Sequence, residues 1–283
     1  MEIDEIIEAA LVGLYRGDFF NKKLYLKGGQ ALRIKEGLKN RFSADMDFST
    51  PGKILNTDHF FGNLANSLSA EFSTRGLHFF DLNFERKPKF RDAGTPDFWT
   101  GWEITFKLIE NDKIHLGIEQ KRREAIVPRG TNSSKIKLDI SEYEYCDSVE
   151  RVKVASTTIS VYSRTSLVLE KIRAICKQHP DYPLKNEVAR SRDYYDIERL
   201  WDKVLKEGNT NAFLADCRKH LPGIFKAKEV PVELMKKIFD EDFLKLQKDG
   251  WRSVVSTVSQ KVQDFDYYVE TLRLVLNKIN TKN

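Results

Sequence analysis

The feature that most constrains this chain is a glycine pair followed, after 15 intervening residues, by two aspartates that a single residue separates. The segment spans residues 26–48 and reads LKGGQALRIKEGLKNRFSADMDF. Gly28 and Gly29 let the backbone approach a phosphate closely and adopt conformations that a side chain would forbid. Asp45 and Asp47 supply the hard oxygen ligands that Mg²⁺ prefers. Together these residues predict a site that holds a nucleoside triphosphate on two magnesium ions.

The spacing of the aspartates fits a β-strand. Apolar residues at positions 42, 44, 46 and 48 alternate with Ser43, Asp45 and Asp47, which predicts a strand over residues 41–48 with its polar side chains on one face. Residues i and i+2 of a strand lie about 6.6 Å apart on that face, and carboxylates at this separation can hold metal ions roughly 3.5 to 4 Å from each other. A helix over residues 30–37 would direct its N-terminal N–H groups at the glycine turn.

A third carboxylate comes from a later strand. The segment KIKLDIS at residues 135–141 alternates apolar and polar residues, which places Asp139 on the polar face. Asp139 has no signal beyond this alternation, and a surface aspartate would fit it equally well. With Asp45 and Asp47 it would complete a set of metal-binding carboxylates.

Composition excludes several classes of protein. The 283 residues carry 47 Lys and Arg against 42 Asp and Glu, so the net charge of +5 permits a polyanionic partner without requiring one. The three cysteines lack the spacing of a disulfide framework or a zinc site and are expected to be reduced thiols. The acidic N-terminus argues against a signal peptide, and no apolar run approaches the roughly 18 residues needed to cross a membrane. We therefore expect a cytoplasmic protein with no membrane partner.

The chain changes character near residue 163. Before it, helical patterns at residues 3–14 and 58–73 mix with strand patterns at 77–84 and 102–108. After it, helices are predicted at 167–177 and 193–206, and a heptad-like apolar stripe predicts a long last helix over 258–279. The prediction is an α+β protein with an α/β domain at 1–162 and a helical-bundle domain at 163–283.

Two segments resemble a known family. LKGGQALRIKEGLKNRFSADMDF is similar to the signature of the AbiEii/AbiGii-type toxin nucleotidyltransferases, a branch of the DNA polymerase β-like nucleotidyltransferase superfamily. LVLEKIRAICKQ and SRDYYDIERL, with Lys171, Asp193 and Asp196, resemble the second signature of that family. The alignable stretches are 24–48 and 166–200. The resemblance implies a polymerase β-like domain, a mixed sheet flanked by helices, followed by an all-α bundle.

The resemblance also implies roles for single residues. Ser43 and Asp45 would lie at the nucleotide and metal site, Lys171 would reach the triphosphate, and Asp193 would complete the active centre. Lys27 and Arg41, inside the first signature, join the nucleotide-binding set. The chain departs from the superfamily pattern in two ways, since many members have Gly-Ser in place of Gly-Gly and a shorter interval before the first aspartate.

Simpler explanations exist for several of these residues. Lys171 could be a solvated helix lysine, and Asp193 could be a helix N-cap. Arg190 and Arg192 could contact a nucleic-acid backbone or merely face solvent. The tyrosines at 194 and 195 are candidate base-stacking platforms, although aromatic residues at helical spacing more often belong to a core.

The leading hypothesis is a magnesium-dependent nucleotidyltransferase, with Mn²⁺ as an alternative metal. It would transfer a nucleoside monophosphate from an NTP to an acceptor hydroxyl and release pyrophosphate. The family suggests a toxin that modifies the 3′ end of tRNA and is paired with an antitoxin protein. Protein nucleotidylation, a non-catalytic nucleotide- or RNA-binding module, and a partner-binding helical domain are the alternatives. Under the leading hypothesis, Lys171→Ala should impair transfer while leaving the fold intact.

Overall fold

The computed structural model of the protein describes residues 1–39, 42–90, 94–184 and 188–281. The chain forms two compact units, one made of Met1–Lys35 and Ser43–Val161 and the other of Glu36–Phe42 and Tyr162–Asn283. The predicted division was a single cut after residue 162, whereas the second unit also takes in the segment Glu36–Phe42. The α+β class is confirmed, because the strands are followed by a C-terminal region of helices.

The first unit is built on a mixed sheet of seven strands among the described residues. The helices before and between the strands are α1 (Ile3–Tyr15), α2 (Gly28–Glu36), α3 (Thr57–Thr74) and α4 (Ile118–Glu124). The strands are β1 (Tyr25–Lys27), β2 (Met46–Ser49), β3 (Leu77–Lys87), β4 (Gly101–Glu110), β5 (Ile136–Ser141), β6 (Val149–Val154) and β7 (Thr157–Tyr162).

The strand order across the sheet is β3-β4-β5-β2-β1-β7-β6. Strand β2 pairs parallel with β5 and antiparallel with β1, and β1 pairs parallel with β7. Strands β3, β4 and β5 form an antiparallel group at one side. The pairing therefore brings the chain segment around residue 47 next to the segment around residue 139, which is far away in sequence.

One face of the central strands is apolar and buried. Leu26, Phe48, Leu138 and Ile104 are each fully buried on β1, β2, β5 and β4. Helix α3 packs against β3 and α1 packs against α3, so the two helices cover apolar surface of the unit. Because side chains alternate along a strand, the polar residues between these positions lie on the opposite face of the sheet.

The local structure around the sequence signature differs from the prediction. Helix α2 begins at Gly28 instead of residue 30, so the glycine pair forms its first turn. Strand β2 begins at Met46, so the prediction of a strand from residue 41 is wrong for residues 42–45, and Arg41 itself lies outside the described residues. Phe42, predicted to face the core, is 45% exposed.

The second unit contains only helices among its described residues beyond the end of β7. They are α5 (Arg164–Cys176), α6 (Ser191–Lys206), α7 (Thr210–Lys226), α8 (Leu234–Lys237), α9 (Glu241–Asp249), α10 (Trp251–Thr257) and α11 (Phe265–Asn280). Helix α5 packs on α6 and α7, and α11 packs on the same two helices. The apolar stripe of α6 is buried through Ile197, Leu200, Trp201 and Val204.

The predicted long last helix is wrong in its first part. Helix α10 ends at Thr257 and α11 begins at Phe265, so the apolar residues at 258 and 262 lie between two helices instead of inside one. Apolar residues at a spacing of four and then three fit either arrangement, and the chain between the helices is not helical. None of the helices in the described ranges has the length and apolar character that a membrane crossing needs.

Candidate active site

A polar row of side chains crosses five neighbouring strands of the first unit. The register pairs Lys27 of β1 with Asp47 of β2, and Asp47 with Asp139 of β5. It then pairs Asp139 with Glu103 of β4, and Glu103 with Glu85 of β3. Paired residues of adjacent strands lie on the same face with Cα atoms about 4.5 to 5.5 Å apart. Four carboxylates thus stand side by side, and we call Asp47, Asp139, Glu103 and Glu85 the acidic row.

Gly28 lies directly against the carboxylate of Asp47. A Cβ atom added to Gly28 would be 2.1 Å from Oδ2 of Asp47, and the φ angle of Gly28 is +65°. Both facts require glycine, because an L side chain is strained at this φ and there is no space for one. The first turn of α2 therefore begins in contact with the end of the acidic row.

Asp45 and Ser43 lie in the segment that leads into β2. Asp45 is exposed and Ser43 is half-buried. The prediction that both aspartates lie in one strand is wrong, since Asp45 precedes β2 by one residue. The carbonyl oxygen of Ser43 accepts a hydrogen bond from the Nε2 atom of Gln30, which is fully buried in α2. Gln30 therefore fixes the segment before the aspartates to the helix that starts at the glycines.

Asp139 is surrounded by charge of both signs. Burial raises the pKa of its carboxyl, the hydrogen bond from Lys137 opposes the rise, and the carboxylates of Asp45 and Glu103 add to it. The ammonium of Lys137 lies 2.8 Å from Asp139 Oδ2 and 3.5 Å from Glu103 Oε2. Burial lowers the pKa of Lys137, but Asp139, Asp45 and Glu103 together raise it above its ordinary value. The site is thus rich in negative charge that cations balance.

Lys27 is buried beside Asp47. Its Nζ atom donates to Ser141 Oγ at 3.2 Å and lies 3.3 Å from Glu144 Oε1. Ser141 belongs to β5, so this side chain joins β1 to the end of the strand that carries Asp139. The structure therefore gives Lys27 a structural role next to the site, whatever contact it makes with a nucleotide.

Divalent cations suit the donors at this end of the sheet. Asp47 and Asp139 are cross-strand neighbours, and Asp45 lies close enough to raise the pKa of Asp139. Carboxylate oxygens are the ligands of Mg²⁺. No three His, Cys, Asp or Glu side chains are arranged to hold a metal ion within residues 1–39, 42–90, 94–184 and 188–281. Metal binding by all three aspartates would thus require side-chain rotation and displacement of the Lys137 ammonium from Asp139.

A separate cluster of charges is buried in the second unit. The Nζ atom of Lys171 in α5 lies 2.9 Å from Asp193 Oδ1 and 2.6 Å from Asp196 Oδ2 in α6. The three side chains are 6%, 9% and 0% exposed, so Lys171 is not a solvated helix lysine. Asp193 is the third residue of α6 and not its N-cap, and it also accepts a hydrogen bond from Arg190 Nε at 2.8 Å. We call Lys171, Asp193 and Asp196 the buried cluster.

The neighbouring aromatic residues belong to the core. Tyr194 and Tyr195 are 0% and 3% exposed, so neither is a base-stacking platform. Tyr194 packs on Phe265 with ring centroids 5.1 Å apart, and Tyr195 packs on Tyr268 at 5.8 Å. The alternative in which aromatic residues at helical spacing form a core is the one that the structure confirms.

The sequence did not point to Glu103, Lys137 or Gln30. Glu103 and Lys137 alternate with apolar residues along predicted strands, which indicates a polar face but not which strands are neighbours. Gln30 follows the glycine pair directly, and a buried polar residue at a helix start has no pattern of its own. These residues could be found only once the strand order was known.

The strand register and the glycine turn define a class of protein. A mixed sheet with flanking helices, acidic residues on adjacent strands and a glycine-initiated helix against one of them agree with the nucleotidyltransferase that the two signatures predicted. A family model described as "Nucleotidyl transferase AbiEii toxin, Type IV TA system" matches residues 10–271. The chain belongs to this family and is a nucleotidyltransferase, as the resemblance of its two signatures predicted.

Comparison with other proteins adds three structural neighbours. A candidate nucleotidyltransferase from Helicobacter pylori is 16% identical with a TM-score of 0.47, covering 99% of this chain and 97% of its own. JHP933 from Helicobacter pylori is 17% identical with a TM-score of 0.44, covering 98% and 96%. An antigenic nucleotidyltransferase-like protein from Paracoccidioides brasiliensis is 15% identical with a TM-score of 0.40, covering 81% and 94%. Comparison with curated proteins finds no match. The assignment rests on the family match, because these structural likenesses are weak.

The contact between Gly28 and Asp47 predicts the effect of a methyl group. Gly28→Ala should destabilise the protein by about 2 to 4 kcal/mol, the sum of left-handed strain and overpacking. Gly37 has a similar φ of +67° with nothing within 4 Å of its Cβ position, so Gly37→Ala should cost only about 1 to 2 kcal/mol. Denaturant unfolding of the two variants measures the difference. Equal losses would contradict the contact.

The buried cluster predicts the effect of removing its cation. Lys171→Ala leaves two buried carboxylates without their ammonium partner and should destabilise the protein by about 3 to 5 kcal/mol. We therefore expect this variant to be less stable, instead of leaving the fold intact as the sequence suggested. Thermal unfolding at neutral pH measures the loss, with Lys206→Ala as a control, since Lys206 pairs with Asp202 on the exposed surface. A loss in Lys171→Ala no larger than in Lys206→Ala would show that the buried cluster is solvated.

Proposed function

We propose that the protein is a divalent-metal-dependent enzyme that transfers a nucleoside monophosphate from an NTP to an acceptor hydroxyl of RNA. The observation that supports this most is the end of the acidic row, where Asp47 and Asp139 stand side by side and Gly28 abuts Asp47. Like charges directly opposite one another destabilise a sheet, and Lys137 offsets the charge of Asp139. A site that keeps them is arranged to receive positive charge.

In this proposal Asp45, Asp47 and Asp139 would hold Mg²⁺, with Mn²⁺ as an alternative. The metal would supply charge neutralisation at the triphosphate and lower the pKa of the attacking hydroxyl. The acceptor oxygen forms a bond to the α-phosphorus, the bond from that phosphorus to the β-bridging oxygen breaks, and pyrophosphate leaves. The hydroxyl proton is released to solvent.

The residues around the metal site bind the nucleotide. Gly28 and Gly29 open α2, and the backbone N–H groups of a helix start favour phosphate. Ser43 lies in the segment that Gln30 fixes to this helix, so its hydroxyl is placed by a contact to the same element. Lys27 and Arg41 complete the proposed set, with Lys27 acting through its position beside Asp47.

Lys171 and Asp193 are proposed to take part in the reaction, as the family resemblance implies. A lysine suits phosphate and an aspartate suits orientation of a cationic or hydroxyl group. Their mutual ion pair fixes the lysine in one position. Lys171→Arg, which keeps the charge, is the variant that separates a role in the reaction from a role in stability.

The proposed biological role is that of a toxin that modifies the 3′ end of tRNA and is controlled by a cognate antitoxin. The family description names a toxin of a type IV toxin–antitoxin system, which implies the antitoxin. RNA is the preferred acceptor, and protein nucleotidylation is the second candidate. A non-catalytic binding module is disfavoured by the family match.

Label transfer tests the proposal. The full-length protein is incubated with each α-³²P-labelled NTP, Mg²⁺ or Mn²⁺, and total RNA, and the products are separated on a denaturing gel. RNA should be labelled, and Asp45→Asn should lower the rate at least about 100-fold, or about 2.7 kcal/mol, because a metal ligand is lost. Asp112→Asn, at an exposed aspartate outside the acidic row, should keep the wild-type rate.

Three outcomes would contradict parts of this proposal. Equal rates in Asp45→Asn and Asp112→Asn would remove the metal site from Asp45. Labelled protein with unlabelled RNA would favour protein nucleotidylation. Nucleotide binding without transfer to any acceptor, with either metal, would contradict the proposed reaction.

A further inference from the structure

A second polar concavity opens on the same face of the sheet as the acidic row. Its volume is about 520 Å³. The polar and charged residues that line it are Asp81, Asn83, Thr105, Lys107, Arg122 and Lys135. All of them belong to the first unit, and we call this cavity the basic cavity.

The strand register joins the basic cavity to the acidic row. Asn83 and Thr105 are cross-strand partners, and Thr105 pairs with Lys137. Each of the three lies two positions along its strand from a member of the acidic row: Asn83 from Glu85, Thr105 from Glu103 and Lys137 from Asp139. They therefore form the next row on the same face of the sheet. Lys107 is two positions further along β4, about 13 Å from Glu103. The sheet therefore changes from acidic to basic over about four residues along its strands.

The basic cavity carries an excess of positive charge. Three cations line it against one carboxylate. The carboxylate of Asp81 lies 2.9 Å from Lys107 Nζ and 2.7 Å from Arg122 Nη2. Arg122 Nη1 lies 2.8 Å from Oε1 of Glu119, which is outside the lining. Lys135 is exposed, and no ion pair of its ammonium is found in the described ranges.

Asp81 holds two of the cations next to each other. Its hydrogen bonds from Arg122 and Lys107 lower the pKa of its carboxyl to about 2, so it is ionised at neutral pH. Asp81 lies at an irregularity of β3 between residues 80 and 83 and has a φ of +53°. Local backbone irregularity thus turns this carboxylate toward the two cations. Lys107 and Arg122 are held in place before any ligand arrives.

Phosphodiester backbone fits this set of groups. Arg and Lys are the side chains that contact phosphate oxygens most often, and amide and hydroxyl groups such as those of Asn83 and Thr105 contact phosphate or sugar. The 2′-hydroxyl of RNA can donate and accept a hydrogen bond, which suits such neutral polar groups. Helix α4 adds Lys121 and Arg123 beside Arg122, so positive charge continues outside the cavity.

We propose that the basic cavity binds the phosphodiester backbone of the RNA acceptor and so delivers its hydroxyl end to the acidic row. This inference rests on the proposed function for its choice of RNA, but binding can be measured without any transfer. Lys107 and Arg122 bind one phosphate as a pair that Asp81 holds in place, and the exposed Lys135 adds a phosphate contact. The bound strand would then run across the row of Asn83 and Thr105.

Two variants that should change RNA affinity in opposite directions test this assignment. Binding of a fluorescein-labelled single-stranded 20-nucleotide RNA is followed by anisotropy in EDTA, without NTP. Lys135→Ala should weaken binding about three- to tenfold and reduce the slope of log K against log salt by about 0.7, the value for one phosphate contact to a single strand. Asp81→Asn should tighten binding, because it removes the negative charge that competes with phosphate while its amide oxygen can still accept a hydrogen bond from Arg122 or Lys107. Asparagine also tolerates the positive φ of this position.

Controls separate this inference from the proposed function. Lys22→Ala removes an exposed lysine outside the basic cavity and should leave RNA affinity within twofold of wild type. In transfer assays Lys135→Ala should raise the KM for RNA with the KM for NTP unchanged. An equal loss of RNA affinity in Lys22→Ala and Lys135→Ala would overturn the proposal. So would an unchanged RNA affinity in both Asp81→Asn and Lys135→Ala. Either result counts even if transfer to RNA is observed. Opposite shifts in binding would support it even if no transfer occurs.

Discussion

The parallel pairing of β2 with β5 is the constraint on which the candidate site depends. It sets Asp47 beside Asp139, and the antiparallel neighbours β4 and β3 extend the row to Glu103 and Glu85. Like charges directly opposite one another destabilise a sheet. Lys137 bridges Asp139 and Glu103, and Lys87 lies 3.6 Å from both Glu85 and Glu103.

Lysines lie against Glu85, Glu103 and Asp139 of the acidic row. Glu85 and Glu103 are balanced by lysines of their own or adjacent strands. At the other end Asp45 is exposed, and no ion pair of its carboxylate is found in the described ranges. Gly28 keeps the backbone of α2 against Asp47 at this same end. An exposed carboxylate and a helix start that could bind phosphate therefore lie at the same end of the row.

The sequence predicted the local parts of this site better than its long-range parts. The glycine pair, both aspartates and Asp139 were identified from spacing and alternation, since those signals lie within a few residues of each other. Strand β1 is only three residues long, which is too short to show an alternating pattern. The start of β2 was predicted too early, because the apolar residues Phe42 and Ala44 continue the alternation of the strand although they lie outside it. Glu103 and Lys137 could not be found, because their proximity to Asp139 depends on strand order.

The helical half shows a different limit. The lysine and aspartates of the second signature were found through family resemblance, whereas their burial could not be read from a helical pattern. Lys171 of α5 forms ion pairs with two carboxylates that lie one turn apart on α6. The spacing of residues along either helix does not show that these side chains meet. Removing one partner of a buried ion pair costs more than the pair contributes. Stability therefore depends on these positions, and charge-preserving variants are needed to separate it from the proposed role in the reaction.

The central claim is that one end of the acidic row binds a divalent cation. Mn²⁺ binding to the full-length protein can be measured directly by electron paramagnetic resonance, with circular dichroism to confirm that each variant is folded. The account predicts that Asp47→Asn and Asp139→Asn each raise the Kd for Mn²⁺ at least about tenfold, a change of about 1.4 kcal/mol. Glu85→Gln, at the other end of the same row, should bind Mn²⁺ as the wild type does. Wild-type affinity in Asp47→Asn, or an equal loss in Glu85→Gln, would contradict the account.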